Sequence, residues 1–154
     1  MIKLKLTMAK NLHYQMALDQ AKKSYDEGGI PIGAVLVKND IIIGKGHNQR
    51  VQQLNPILHG EMDCLQNAGR LQKYSDTTLY TTLSPCMMCS GTIIQFKIKK
   101  VVIGENHNFK GNISFLKEHG VEVEVLNDEE TISLMTNFIN NYPKLWHEDI
   151  SETN

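Results

Sequence analysis

Apolar positions along the chain change period several times, and each change marks an element. In residues 8–27, Leu12, Met16, Ala17 and Ala21 recur at helical spacing, which predicts a first helix. Gly28-Gly29 ends it in the manner of a left-handed cap. Val35-Leu36-Val37 and Ile41-Ile42-Ile43 flank Lys38-Asn39-Asp40, a pattern that predicts two short strands joined by a hairpin turn. Residues 59–68 read as a second helix and residues 78–81 as a strand. A third helix starts near Pro85, a residue favoured in a first helical turn. Residues 101–104 read as a buried strand and 113–119 as a short helix. In residues 121–126 apolar and acidic side chains alternate, as in a half-exposed strand. Residues 129–141 form another helix, Pro143 breaks it, and residues 144–150 add one last turn. The order is α-β-β-α-β-α-β-α-β-α. After the opening hairpin, strands and helices alternate, which favours an α/β layered architecture with a largely parallel sheet.

Length and composition narrow this picture. The 154 residues fit a single domain, 1–154, large enough to bury a core without disulfide or metal staples. Sixteen basic and 17 acidic residues leave a formal charge of −1, so charge gives no reason to expect a nucleic acid or a membrane surface as partner. Lys97, Lys99 and Lys100 are the best candidate for a local basic patch, and a solvated strand entry accounts for them. No apolar run approaches the roughly 20 residues of a membrane span. The start, Met1-Ile2-Lys3-Leu4-Lys5-Leu6, lacks the features of a signal peptide. Three cysteines, with Cys86 and Cys89 as a tight pair, suggest a reducing compartment and a metal or redox site; the expected location is the cytoplasm.

The candidate chemistry lies at two predicted helix starts, His59-Gly60-Glu61 and Pro85-Cys86-Met87-Met88-Cys89. A catalytic zinc takes three protein ligands and keeps one position for water, and His59, Cys86 and Cys89 supply that set. Two cysteines three apart at a helix start can turn toward one ion, and the helix dipole favours their thiolates. Cys64, His47 and His107 have no ligand-like spacing to either cluster, so an open site is expected rather than a closed structural one. Residues two apart diverge in mid-helix, yet at the first turn both can point off the end. His59 can then bind the ion while Glu61 stands beside the water as its general base. His-x-Glu followed by Pro-Cys-x-x-Cys is the signature by which zinc nucleobase deaminases are described, so here the chemistry is matched rather than derived.

Further stretches extend the match: Glu27 to Gly33, Gly46-His47-Asn48, Asp76 to Cys86, Val102 to Asn106 with Asn108-Phe109-Lys110, and Trp146-His147-Glu148-Asp149-Ile150. Over nearly its whole length the chain resembles the fungal-type cytosine deaminases of the cytidine deaminase superfamily. Gly60, where most relatives carry alanine, and the Trp146 to Asp149 tail are particular to that branch. The resemblance implies a three-layer α/β/α sandwich around a five-stranded mixed sheet, one catalytic zinc per chain and a homodimer. It implies a small nucleobase as substrate, cytosine going to uracil and ammonia in pyrimidine salvage. Asn48 and the Gly60 N–H would then read the carbonyl edge of the base. The Ser84 carbonyl and the Asp149 carboxylate would receive the departing amine. Phe109 and Trp146 would sandwich the ring, with Ile32 and Leu83 as apolar walls. Met87 stands where the fungal pattern has an acidic residue.

Three rival readings share the metal motif. A tRNA adenosine deaminase would need a basic surface for a polyanion, against which stand the charge of −1, Gly60 and the acidic pair Glu148-Asp149. A guanine deaminase is the second. A non-catalytic, zinc-stabilised interaction module is the third, and it would leave Glu61 without a task.

Overall fold

The computed structural model describes residues 1–153, apart from the side chains of residues 6–10. Leu6, part of the N-terminal reading above, and Asn154, the last residue of the expected domain, therefore lie outside the described side chains and residues. The elements are α1 (Ile2–Asp26), β1 (Gly33–Lys38), β2 (Ile41–His47), α2 (Gly60–Ala68), β3 (Thr77–Leu83), α3 (Met87–Gln95), β4 (Lys100–Glu105), α4 (Ile113–Glu118), β5 (Glu122–Val125), α5 (Glu129–Asn141) and α6 (Pro143–Asp149). Their order is the one that the hydrophobic pattern predicts as far as α5; the last turn expected over 144–150 is a separate helix, α6, and α1 begins at Ile2, ahead of the expected start at residue 8.

Local chemistry sets the boundaries. Gly28 takes a φ of 85° just after α1, the left-handed conformation that a helix end of this kind needs. Asn39 and Asp40, at φ 51° and 60°, form the two-residue turn between β1 and β2, and both residue types tolerate that region. Asp128 caps α5 by accepting from the Thr131 N–H. Pro143 occupies the first turn of α6, where its missing N–H costs nothing.

The sheet has five strands in the order β2-β1-β3-β4-β5. β1 is antiparallel to both β2 and β3, while β3, β4 and β5 run parallel. Four strands thus share one direction and β1 alone opposes them. The sheet is mixed, as the resemblance implies, and largely parallel, as the alternation of elements implies. Side chains alternate between its faces. Ala34, Leu36, Leu79, Val101 and Ile103 pack with Cys64 and Leu65 of α2, Ile93 of α3 and Leu116 of α4. Val35, Val37, Tyr80 and Val102 pack with Tyr14 and Ala17 of α1. A third cluster joins Ile30, Ile32 and Leu83 to Met135 and Phe138 of α5 and Trp146 of α6. That last cluster sits where β3 and β4 end. Open α/β sheets place their ligand crevices at such carboxyl ends. Among the described residues no helix is long and apolar enough to cross a membrane.

Candidate active site

Two helices point their N-termini at one spot. His59 is the N-cap of α2 and Cys86 the N-cap of α3, both in extended conformation, so each side chain leans off the end of its helix. Glu61, in the first turn of α2, and Cys89, in the first turn of α3, complete the group. The ligand atoms of His59, Cys86 and Cys89 lie within 4.8 Å of one another. His59 Nδ1 is 3.4 Å from Cys86 Sγ. Zinc–nitrogen and zinc–sulfur bonds at a tetrahedral angle would place those atoms about 3.5 Å apart, so the donor set and its spacing both fit zinc. His47, Cys64 and His107 stay outside the group. The His47 ring nitrogens face Glu27 Oε1 at 2.7 Å and Gln20 Oε1 at 3.2 Å. Cys64 is fully buried in the core, and burial pushes its thiol far up.

The side chains alone already shape the charge of the site. A hydrogen bond from the Cys89 thiol, helped by His59 and opposed by burial, holds Cys86 down at about 4. Cys89 is correspondingly raised by the Cys86 thiolate and by burial. Burial works against an imidazolium at His59, but the Cys86 and Asp149 anions outweigh it and raise His59 to about 9. Glu61 is only 4% exposed; burial, then the Cys86 thiolate, raises it to about 7. A carboxylate poised near neutrality can both take and return a proton.

Above the metal group lies a small, partly open cavity of about 20 Å³, and His59, Cys86, Phe109, Asp149 and Ile150 also line a wider groove of about 510 Å³ beside it. His59, Glu61 and Cys86 form the floor of the small cavity, and Ile32, Leu83, Phe109 and Trp146 its walls. Ser84, Asp149 and Ile150 line it as well. The rings of Phe109 and Trp146 have centroids 6.0 Å apart and planes at 86°, so only one of them can lie flat against a planar base; they form a corner rather than two parallel plates. Asn48 is fully buried behind Asp149, not in the cavity wall, and its Nδ2 donates to Asp149 Oδ1 at 3.1 Å. The Arg50 N–H donates to Asn48 Oδ1 at 3.0 Å. Gly60 opens α2, so its N–H has no partner within the helix. A Cβ at Gly60 would stand 2.9 Å from the Ile32 carbonyl oxygen, which explains the glycine.

A second role for Asp149 and two further residues, Arg50 and Asp63, escape a reading of motifs. Asp149 Oδ1 sits 3.5 Å from His59 Nε2, so the C-terminal helix orients a metal ligand from outside. Arg50 ties the segment after β2 to α6 through Glu148 at 3.4 Å and to the Pro56 carbonyl at 3.2 Å. The buried Asp63 accepts from the His47 N–H at 3.0 Å and so fixes the residue before Asn48 to α2. Only the placement of Glu148 and Asp149 beside Trp146 hints at the first two in the sequence.

Residues 8–105 match the model of the cytidine and deoxycytidylate deaminase zinc-binding region. The chain belongs to this deaminase family. Within the family it is 57% identical over 141 residues to a cytosine deaminase from Candida albicans, covering 90% of this chain and 94% of that one. It is 38% identical over 121 residues to a tRNA-specific adenosine deaminase from Streptococcus pyogenes serotype M1, covering 71% of each. The guanine deaminase from Nitrosomonas europaea has the same fold, with a TM-score of 0.71 at 19% identity over 82% of each chain. The deaminase fold and the zinc site expected from the sequence are thus those of the family.

Proposed function

We propose that this chain hydrolyses a free pyrimidine base, cytosine, to uracil and ammonia, as one domain spanning 1–154. The observation that carries the reading is the convergence of the His59, Cys86 and Cys89 donor atoms with the buried Glu61 in a pocket walled by Phe109 and Trp146. Glu61 and Asp149 stand on the cavity side as acceptors for a ring amine. A planar base with an exocyclic amine fits that lining. The likeness to the Candida albicans enzyme over most of both chains supports the same substrate.

His59, Cys86 and Cys89 hold the zinc, which supplies the Lewis acidity that makes water a nucleophile at neutral pH. Glu61 takes a proton from the water as its oxygen adds to the ring carbon bearing the amine, and passes that proton to the adjacent ring nitrogen. It then moves the proton of the new hydroxyl to the amine, which leaves as ammonia while the carbonyl of uracil forms. The Gly60 N–H meets the carbonyl edge, and Asn48 Nδ2 joins it once Asp149 turns from Asn48 to the amine. The Ser84 carbonyl and Asp149 receive the amine. Phe109 and Trp146 offer one flat and one edge-on wall, with Ile32 and Leu83 closing the apolar sides.

The partner is a second copy of the chain. α3 carries no charged residue, and Ile57, Met62, Tyr74 and Phe96 line an uncharged groove of about 330 Å³ between α2 and α3. A charge-depleted face of this kind suits a homodimer. Three free cysteines, with thiolates needed at the metal, suit the reducing cytoplasm, and a base-recycling activity suits pyrimidine salvage. The near-zero net charge gives no reason to expect a nucleic acid as partner.

The test is kcat/KM for cytosine against cytidine, guanine and a tRNA anticodon stem-loop. Cytosine is expected to exceed cytidine by orders of magnitude, because the space between Phe109, Trp146 and the metal group is too small for a ring and its ribose together. A ratio near or below one would overturn the free-base assignment. Glu61→Gln is expected to keep its zinc and lose on the order of 10²–10⁴ in turnover. Loss of the metal in that variant would make Glu61 a ligand.

A further inference from the structure

Glu105 ends β4 fully buried, and no chemical step calls on it. One residue takes both of its carboxylate oxygens. The Asn108 backbone N–H donates to Oε2 at 2.9 Å, and Asn108 Nδ2 donates to Oε1 at 2.9 Å. Asn108 Nδ2 also donates to the Ile132 carbonyl at 3.2 Å, and Asn108 Oδ1 accepts from Thr136 Oγ1 at 3.2 Å. Both of those partners are on α5. The Asn108 amide therefore spends its donors and its acceptor in one arrangement that spans β4 and α5. A buried carboxylate is costly to keep, so a pair of matched donors is a specific placement.

The next residue is Phe109, the cavity wall. Its other neighbour, Lys110, is fixed too, because Ser84 Oγ donates to the Lys110 carbonyl at 2.9 Å. The Ser84 N–H in turn donates to the Glu105 carbonyl at 3.0 Å. Phe109 thus stands between two anchored residues, and both anchors lead back to Glu105.

We propose that Glu105 is a positioning residue for base binding: through Asn108 it holds the Phe109 ring at the wall of the pocket. The inference rests on Phe109 being that wall. A glutamine at 105 has the same shape but only one acceptor, and its amide hydrogens would face an Asn108 donor. The carboxylate, not the volume, is what the position requires.

The experiment is a double-variant cycle of Glu105→Gln and Phe109→Ala, with KM and kcat for cytosine, zinc per chain, and fluorescence of Trp146, the only tryptophan. Glu105→Gln should raise KM about tenfold, the scale of one buried donor left unpaired, with kcat changed far less and zinc retained. Trp146 emission should shift as its Phe109 neighbour moves. The double variant should be no worse than Phe109→Ala alone, because both changes remove one wall. Should Glu105→Gln fail to fold, Thr136→Val removes one of the two α5 contacts of Asn108 and should raise KM in the same direction by a smaller factor. An unchanged KM in Glu105→Gln, or in Thr136→Val where that variant stands in, overturns the proposal, as does full additivity with Phe109→Ala. An unchanged KM in Phe109→Ala instead defeats the reading of the wall on which the proposal stands.

Discussion

His59 turns its two nitrogens to two partners, Nδ1 toward Cys86 Sγ and Nε2 toward Asp149 Oδ1. That arrangement fixes which nitrogen can meet a metal, a detail no spacing of letters contains. The ligand identities themselves were legible, because a histidine and two cysteines at helix starts have few other uses together. The electrostatics were not, since they depend on burial and on Asp149 arriving from the far end of the chain. They carry a prediction. Between about 4 and about 9, Cys86 is a thiolate while His59 and Cys89 hold protons. Zinc must displace both protons, so log affinity should climb by about two per pH unit across that window. Linkage gives the sign: a raised histidine binds its proton more tightly, and that proton is lost to the metal more easily as pH rises. Competition with a chromophoric chelator at three pH values measures the slope. A slope near zero would mean that the site is already deprotonated.

Element by element, the strongly patterned segments came through with small shifts, as at 129–141 for α5 and 113–119 for α4. β2 did not. Its apolar run ends at Ile43, yet the strand continues through Gly44, Lys45 and Gly46 to His47. Glycines read locally as a break; in the fold they let a strand lie flush on a helix. A Cβ at Gly46 would sit 2.3 Å from the Cys64 nitrogen, and one at Gly44 would sit 2.8 Å from the Cys64 carbonyl oxygen. Close approach between distant segments leaves no periodic trace, which is why the strand that delivers Asn48 was seen only in part. Gly46→Ala should therefore cost at least about 2 kcal/mol, measured by urea unfolding of the zinc-loaded protein, because backbone and not a flexible side chain must yield. It should also lower base affinity, since His47 and Asn48 follow directly. A stability within experimental scatter of the parent would show that α2 can shift freely.

For the molecule as a whole, the decisive fact is that the pocket over the metal group is small. About 20 Å³ holds roughly one water, and a pyrimidine ring is several times larger. Something must move, and α6 is the element built for it. It follows α5 across Tyr142, an irregular residue between the two helices, and it supplies Trp146 and Asp149 to the site. Its ties to the body are the His59–Asp149 contact, the Asn48–Asp149 hydrogen bond, the half-exposed Arg50–Glu148 pair and its share of one apolar cluster. An exposed ion pair adds only about 0–1 kcal/mol, so the Arg50–Glu148 pair opposes movement of α6 little. The two apolar clusters on the sheet faces contain no residue of α6. Truncation before Trp146 should therefore leave the sheet folded and the zinc bound. Activity should fall at least about 100-fold, because a ring wall, the proposed acceptor for the amine and the partner of His59 Nε2 leave together. Circular dichroism, metal content and kcat/KM on one preparation separate the outcomes. Near-normal activity would show that closure by α6 is not needed for catalysis. Loss of zinc together with activity would instead make Asp149 part of the metal site's support, and the lid and the metal centre would then be one cooperative unit.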